Sequence, residues 1–140
     1  MSRQVYITRR ERFSAAHKLS IDEWSEEKNL EVFGKCANPN WHGHNYVLYV
    51  TVKSTVDKQT GFVMDLKELS HILKEKIIVH VDHKNINLDT PFMKGKMSST
   101  ENICVAIWEE IEPEINQRGA ELFKVKLQET ENNFVEYYGN

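Results

Sequence analysis

The chain has 140 residues, of which 40% are hydrophobic and 28% charged, and a formal charge of −3. Those values describe one domain large enough to bury its own core, spanning 1–140, and they argue against fibrous and disordered classes. With 18 Lys and Arg against 21 Asp and Glu it lacks the basic surplus of a general nucleic-acid binder, and no uncharged stretch approaches the ~20 apolar residues of a membrane helix.

The N-terminus, MSRQVYITRRERF, alternates charge with bulk and has no apolar signal-peptide region. Residues 4–17 read as a strand, with Val5, Ile7, Phe13, Ala15 and His17 on one parity. Residues 22–33 read as a short polar helix or ordered loop, followed by the turn-rich GKCANPNW. A second strand runs from His42 to Val56 and ends at the turn DKQTG. Its segment from Tyr46 to Val50 is apolar on both faces, which calls for something packed on each side.

Two helices come next. The first carries a stripe of Leu66, Leu69, Leu73 and Ile77 with Ile72 beside it. The second opens at Ser98-Ser99-Thr100-Glu101, whose Ser-x-x-Glu pattern can form a capping box, and its stripe is Ile103, Ile107 and Ile111, flanked by Cys104, Trp108 and Ile115. A hairpin closes the chain, with Phe123, Val125, Leu127 and Glu129 on one parity and a turn near Asn132-Asn133. The expected fold is therefore α+β, a four-stranded antiparallel sheet with both helices on one face, in the order strand-strand-helix-helix-strand-strand. The sheet's other face is left uncovered, which implies an oligomer.

His42 and His44 are two apart in a strand, so both rings point to one side. His17 ends the neighbouring strand on its apolar parity. Three imidazoles with a fourth position free form the ligand set of a catalytic Zn²⁺. Spacing also admits a second reading, two loop histidines and one core histidine. Cys36 lies in a polar loop beside Lys35, where a cation or metal would raise its thiolate fraction, whereas Cys104 sits on an apolar helix stripe. Two cysteines are too few for a disulfide framework, and the compartment expected is the reducing cytosol.

Asp82-His83 can act as a carboxylate–imidazole proton relay, although spacing favours the plainer reading of cations at a helix C-terminus. Glu129 is an acid at an inward position, which requires donors such as ring N–H groups of a substrate. Thr100 and Glu101 add polar groups at a helix N-terminus, where capping alone is the plainer role for Glu101.

The segments FSAAHKL, NLEVFGKCANPNWHGHNY, GFVMDL, VDHKNIN, STENICVAIW and VKLQETENN together resemble the 6-pyruvoyl-tetrahydropterin synthase family over nearly the whole chain. Trp41 stands where many relatives carry Gly, and Asp65 where some carry Asn. The resemblance implies that His17, His42 and His44 bind Zn²⁺, and that Cys36 is the general base, supported by Asp82 and His83 from a neighbouring subunit. It implies that Glu129 anchors a pterin ring, with Thr100 and Glu101 lining the same pocket. It also implies the tunnelling fold, in which trimers close their sheets into a barrel and pair as a homohexamer. The implied activity is that of a lyase converting 7,8-dihydroneopterin triphosphate to 6-pyruvoyl-tetrahydropterin in tetrahydrobiopterin biosynthesis. A related enzyme yielding a 6-carboxy product, and a non-catalytic zinc module, are the alternatives. The triphosphate-binding groups stay open among Lys18, Lys35, Arg10 and Arg12.

Overall fold

Alternating bulk and charge along the first segment produces a long strand, β1 (Gln4–His17), in the computed structural model, which describes residues 3–140. After a loop comes α1 (Glu26–Phe33), capped by the Ser25 side chain, which accepts from the Lys28 N–H. A 3₁₀ turn (Gly34–Ala37) then leads to β2 (His42–Thr55). β1 and β2 pair antiparallel along their full length, from Gln4 opposite Thr55 to His17 opposite His42. At the turn DKQTG, Asp57 accepts from the N–H groups of Gln59 and Thr60, and Gly61 takes the left-handed φ of 77°.

α2 (Leu66–Leu73) starts at the Asp65 cap and continues through a π-helical turn (Lys74–Ile78) into α3 (Val79–Val81). Leu69, Ile72, Leu73 and Ile77 are buried, but Leu66 is exposed. Leu66 is the residue directly after the cap, ahead of the helical turns that meet the core. α4 (Ile86–Asp89) and a 3₁₀ turn (Pro91–Met93) precede α5 (Thr100–Asn116). On α5 the predicted stripe is the core face: Ile103, Ile107, Ile111 and Ile115 have no exposed surface. Each such side chain contributes about 1.5–3 kcal/mol over an exposed one.

The predicted capping box does not form. The cap of α5 is Ser99, which accepts from the Asn102 N–H at 3.2 Å, one residue later than the Ser-x-x-Glu pattern indicates. Ser98 is wholly buried and bonded elsewhere.

The final hairpin is β4 (Glu121–Thr130) and β5 (Asn133–Tyr137). The sheet order is β3-β1-β2-β4-β5, where β3 (Lys84–Asn85) runs parallel to β1 at Ala15 and Ala16. The sheet is thus mixed and five-stranded, not four-stranded and antiparallel. A two-residue strand shows no alternation in sequence. It forms because His83, at a left-handed φ of 58°, turns the chain and donates its N–H to Ser14 O at 2.6 Å.

Two bulges set what β4 presents. Val50 pairs with Val125 and Thr51 with Lys124, but Val52 pairs with Leu122, so Phe123 is the extra residue. The inward residues are therefore Leu122, Val125 and Leu127. Phe123 leaves its predicted face and packs on Tyr6 and Tyr138, at ring distances of 4.8 and 5.6 Å. The second bulge falls at Glu129, between the pairs Gln128–Phe134 and Thr130–Asn133. A bulge re-aims the side chain it carries.

On the opposite face of the sheet Arg10 and Arg12 are exposed, and Val47 and Tyr49 are only half-buried. Val5, expected inward, is also exposed, because the covered part of β1 begins near Phe13. Among the described residues no helix is long and apolar enough to cross a membrane.

Candidate active site

The antiparallel register of β1 and β2 puts His17 opposite His42 and Ala15 opposite His44, with all three imidazoles on the helix-covered face. Their ring centroids lie 5.4 Å (His17–His42), 5.2 Å (His17–His44) and 4.3 Å (His42–His44) apart. Gly43 permits this approach, since a Cβ there would stand 3.2 Å from Ala15 O.

Just before this pair Trp41 takes a left-handed φ of 66°, which delivers His42 into β2. A bulky residue in that region stores about 1–3 kcal/mol of strain. A glycine would adopt it freely. The Trp41 ring lies 5.8 Å from Lys18 Nζ.

Donor atoms gather in two overlapping sets, His17 with Cys36 and His42, and His17 with His44 and Glu129, each set lying within 4.8 Å. His17 belongs to both. It is fully buried, and its Nδ1–H donates to the Ser98 carbonyl at 2.8 Å. That bond leaves the lone pair on Nε2, which has no partner and faces the cluster. His44 Nε2 is likewise buried and unpartnered. Burial foremost lowers the His44 pKa, against the pull of Glu129 and with the help of His42 and His17. Neutral imidazoles with free, converging lone pairs are what a divalent metal requires, so the residues present fit one.

Cys36 sits in the 3₁₀ turn, which is tied to the chain beyond β1 by the Leu19 N–H donating to Cys36 O at 2.7 Å. Its Sγ is 3.8 Å from His42 Nε2. Burial, and then the Glu129 charge, raise its pKa, so the neighbouring Lys35 does not set the thiol as the sequence suggests. Cys104 is the core thiol expected, bonded to Val125 O and pushed by burial up to about 12.

Glu129 accepts a short hydrogen bond from the buried Thr100 hydroxyl at the start of α5. Its other oxygen is 3.7 Å from His44 Nε2. Beside them a hollow of about 220 Å³ is lined by Thr100, Glu101, Glu129, Asn133, Phe134 and Val135. Glu101 is exposed at its rim. Thus Thr100, Glu101 and Glu129 share one pocket, and Glu129 connects it to the imidazoles.

Asp82 and His83 lie elsewhere. They directly precede the edge strand β3, with His83 Nδ1 3.1 Å from Asp82 Oδ1 and 83% of the His83 side chain exposed. The Ser14 N–H donates to Asp82 and, with His83, holds its carboxyl below the usual range. His83 borders a hollow of about 440 Å³ at the end of β1 and β2, which Ser14, Ala16, Gly43, His44 and Asn45 also line. No hydrogen bond among the described residues joins the pair to Cys36. Arg10 and Arg12 lie on the parity of β1 opposite His17, and Lys18 follows His17 directly.

Ser98 escaped the sequence reading except as a cap. Its carbonyl orients His17, and its hydroxyl donates to Asn87 Oδ1 at 2.7 Å. Asn87 in turn grips the Lys18 backbone through both N–H and C=O. Outer contacts of this kind fix a ligand's tautomer and direction. The only signal in sequence was a small polar residue beside a helix start.

A sequence model described as 6-pyruvoyl tetrahydropterin synthase matches residues 6–140. A 6-pyruvoyl tetrahydrobiopterin synthase of Dictyostelium discoideum is 47% identical over 139 residues, covering 99% of each chain. The Homo sapiens protein of the same name is 45% identical over 136 residues, 97% of this chain and 92% of the relative. The solved Caenorhabditis elegans 6-pyruvoyl tetrahydropterin synthase superposes with a TM-score of 0.90 at 36% identity, covering 99% of this chain and 98% of that one.

Proposed function

The chain belongs to the 6-pyruvoyl tetrahydropterin synthase family, a family of lyases in tetrahydrobiopterin biosynthesis, and we propose that it converts 7,8-dihydroneopterin triphosphate to 6-pyruvoyl-tetrahydropterin with release of triphosphate. The observation that carries this reading is the gathering of His17, His42 and His44, the first and last with buried, unpartnered Nε2 atoms, beside one thiol and one carboxylate in two donor sets that share His17. His17, His42 and His44 would hold Zn²⁺. A zinc ion in such a site supplies Lewis-acid polarisation of substrate oxygens.

In the proposed mechanism Glu129, aimed by its bulge and held by Thr100, takes the N–H donors of the pterin ring. Glu101 borders the same hollow. With the ring fixed there, the hydroxylated side chain extends toward the imidazoles and Cys36. The Cys36 thiolate removes a carbon-bound proton. The electron pair released flows into the ring, whose C=N bond is reduced while the side chain is oxidised, so no separate redox cofactor is consumed. The C–O bond to triphosphate breaks and the triphosphate leaves with its electron pair.

Asp82 and His83 would reach the thiol of a neighbouring subunit and relay protons there. Their exposure at the sheet edge supports that role, as does their distance from Cys36 in the chain itself. The uncovered sheet face supports trimers that close their sheets into a barrel and pair as a homohexamer, which a solution mass would check. One continuous apolar core supports a single domain, and two free thiols fit a cytosolic location.

Incubating the zinc-loaded protein with 7,8-dihydroneopterin triphosphate should release triphosphate and a product of 6-pyruvoyl-tetrahydropterin mass. A 6-carboxy product would transfer the reading to the related enzyme class, and no turnover would overturn both. Glu129→Ala should weaken pterin binding about 10–100-fold, the value of hydrogen bonds to a charged acceptor, with zinc content unchanged. Loss of zinc in the same variant would make Glu129 a metal ligand.

A further inference from the structure

Among the described residues three buried side-chain nitrogen or oxygen atoms lack a hydrogen-bond partner: His17 Nε2, His44 Nε2 and the Tyr46 hydroxyl. Such groups are few in native proteins, and each costs about 1–3 kcal/mol when nothing satisfies it. All three fall in one place. The Tyr46 ring lies 5.6 Å from the His44 ring and 6.2 Å from the His17 ring, nearly perpendicular to both.

The two imidazole nitrogens are accounted for by a metal. The phenol needs its own explanation. Tyr46 is wholly buried and stacks on Phe13 with ring centroids 4.8 Å apart and planes at 14°. A phenylalanine would make the same stack and bury the same ring without an unsatisfied hydroxyl. Tyr46 also follows His42 and His44 at two-residue spacing, so it faces the same side of β2. No acceptor among the described residues satisfies the hydroxyl; of the Glu129 oxygens, one takes the Thr100 hydroxyl and the other stands 3.7 Å from His44 Nε2.

We propose that the Tyr46 hydroxyl is a substrate-recognition group, donating a hydrogen bond to an oxygen of the hydroxylated side chain of the bound pterin. This rests on the functional reading above. Glu129 is an acceptor suited to the ring's N–H groups. Tyr46 is a donor beside the imidazoles, where the side-chain oxygens come. Together they would read opposite ends of the substrate by opposite polarity.

The test compares 7,8-dihydroneopterin, which carries the hydroxyls, with 6-methyl-7,8-dihydropterin, which lacks them. Zinc-loaded wild-type protein and Tyr46→Phe are titrated with each. Tyr46→Phe should bind 7,8-dihydroneopterin about tenfold more weakly, the range of one neutral hydrogen bond, and bind the 6-methyl compound as wild type does. Its zinc content should be unchanged and its melting temperature equal or higher. Equal affinities for both ligands before and after substitution would overturn the inference. So would a parallel loss for both ligands, or loss of zinc, since either would give Tyr46 a scaffold role. If wild type itself binds neither pterin, the functional reading fails and takes this inference with it.

Discussion

Cys36→Ala should lower turnover of 7,8-dihydroneopterin triphosphate by roughly 10²–10⁴-fold, the usual contribution of a positioned base, while zinc content and solution mass stay at wild-type values. The thiol lies within reach of the cluster, 3.8 Å from His42 Nε2, yet burial and the Glu129 charge raise its pKa. Without another influence the thiol form dominates at neutral pH. A cation held by the adjacent imidazoles would supply the opposing field and favour the thiolate. The base role therefore depends on the metal site being filled. Because Cys36 also groups with His17 and His42 as a donor set, two outcomes count against it. Zinc lost together with activity would make Cys36 a ligand, and full activity would remove it from the mechanism.

Metal retention should depend most on His17. It alone belongs to both donor sets, whereas removing His42 leaves His17, His44 and Glu129, and removing His44 leaves His17, Cys36 and His42. His17→Ala should weaken zinc binding by more than the ~100-fold that changes in outer contacts cost. His42→Ala and His44→Ala should each lose less. Competition with a chromophoric chelator measures all three, and circular dichroism of the metal-free proteins separates ligand loss from unfolding. A ranking in which His17→Ala holds zinc as tightly as either other variant would break the argument that this residue is the hinge of the site.

The gathering of the three imidazoles was readable in the sequence because strand geometry is simple. Residues two apart face one way, and a histidine on the apolar parity of a neighbouring strand can pair only with what its register brings opposite. His17, His42 and His44 meet for that reason. The stripe of α5 was readable for the analogous reason at helical period. Tyr46 carried the same two-residue signal and passed as core, since an aromatic ring on a buried parity shows nothing in sequence of whether its hydroxyl is satisfied.

What alternation cannot show is where it is interrupted. Two bulges in β4 turn Phe123 away from the core and aim Glu129 toward Thr100 and His44. The bulge at Phe123 is defined by pairing with β2, from which β4 is separated by some seventy residues of chain, so local pattern has no access to it. The β3 strand, the Ser98 carbonyl on His17 and the separation of Asp82-His83 from Cys36 are likewise products of contacts distant along the chain. Residue type and spacing determined which groups could do chemistry here. Tertiary packing decided which of them meet, because a hydrogen-bond partner or a shift of register is a property of two segments and neither segment encodes it alone.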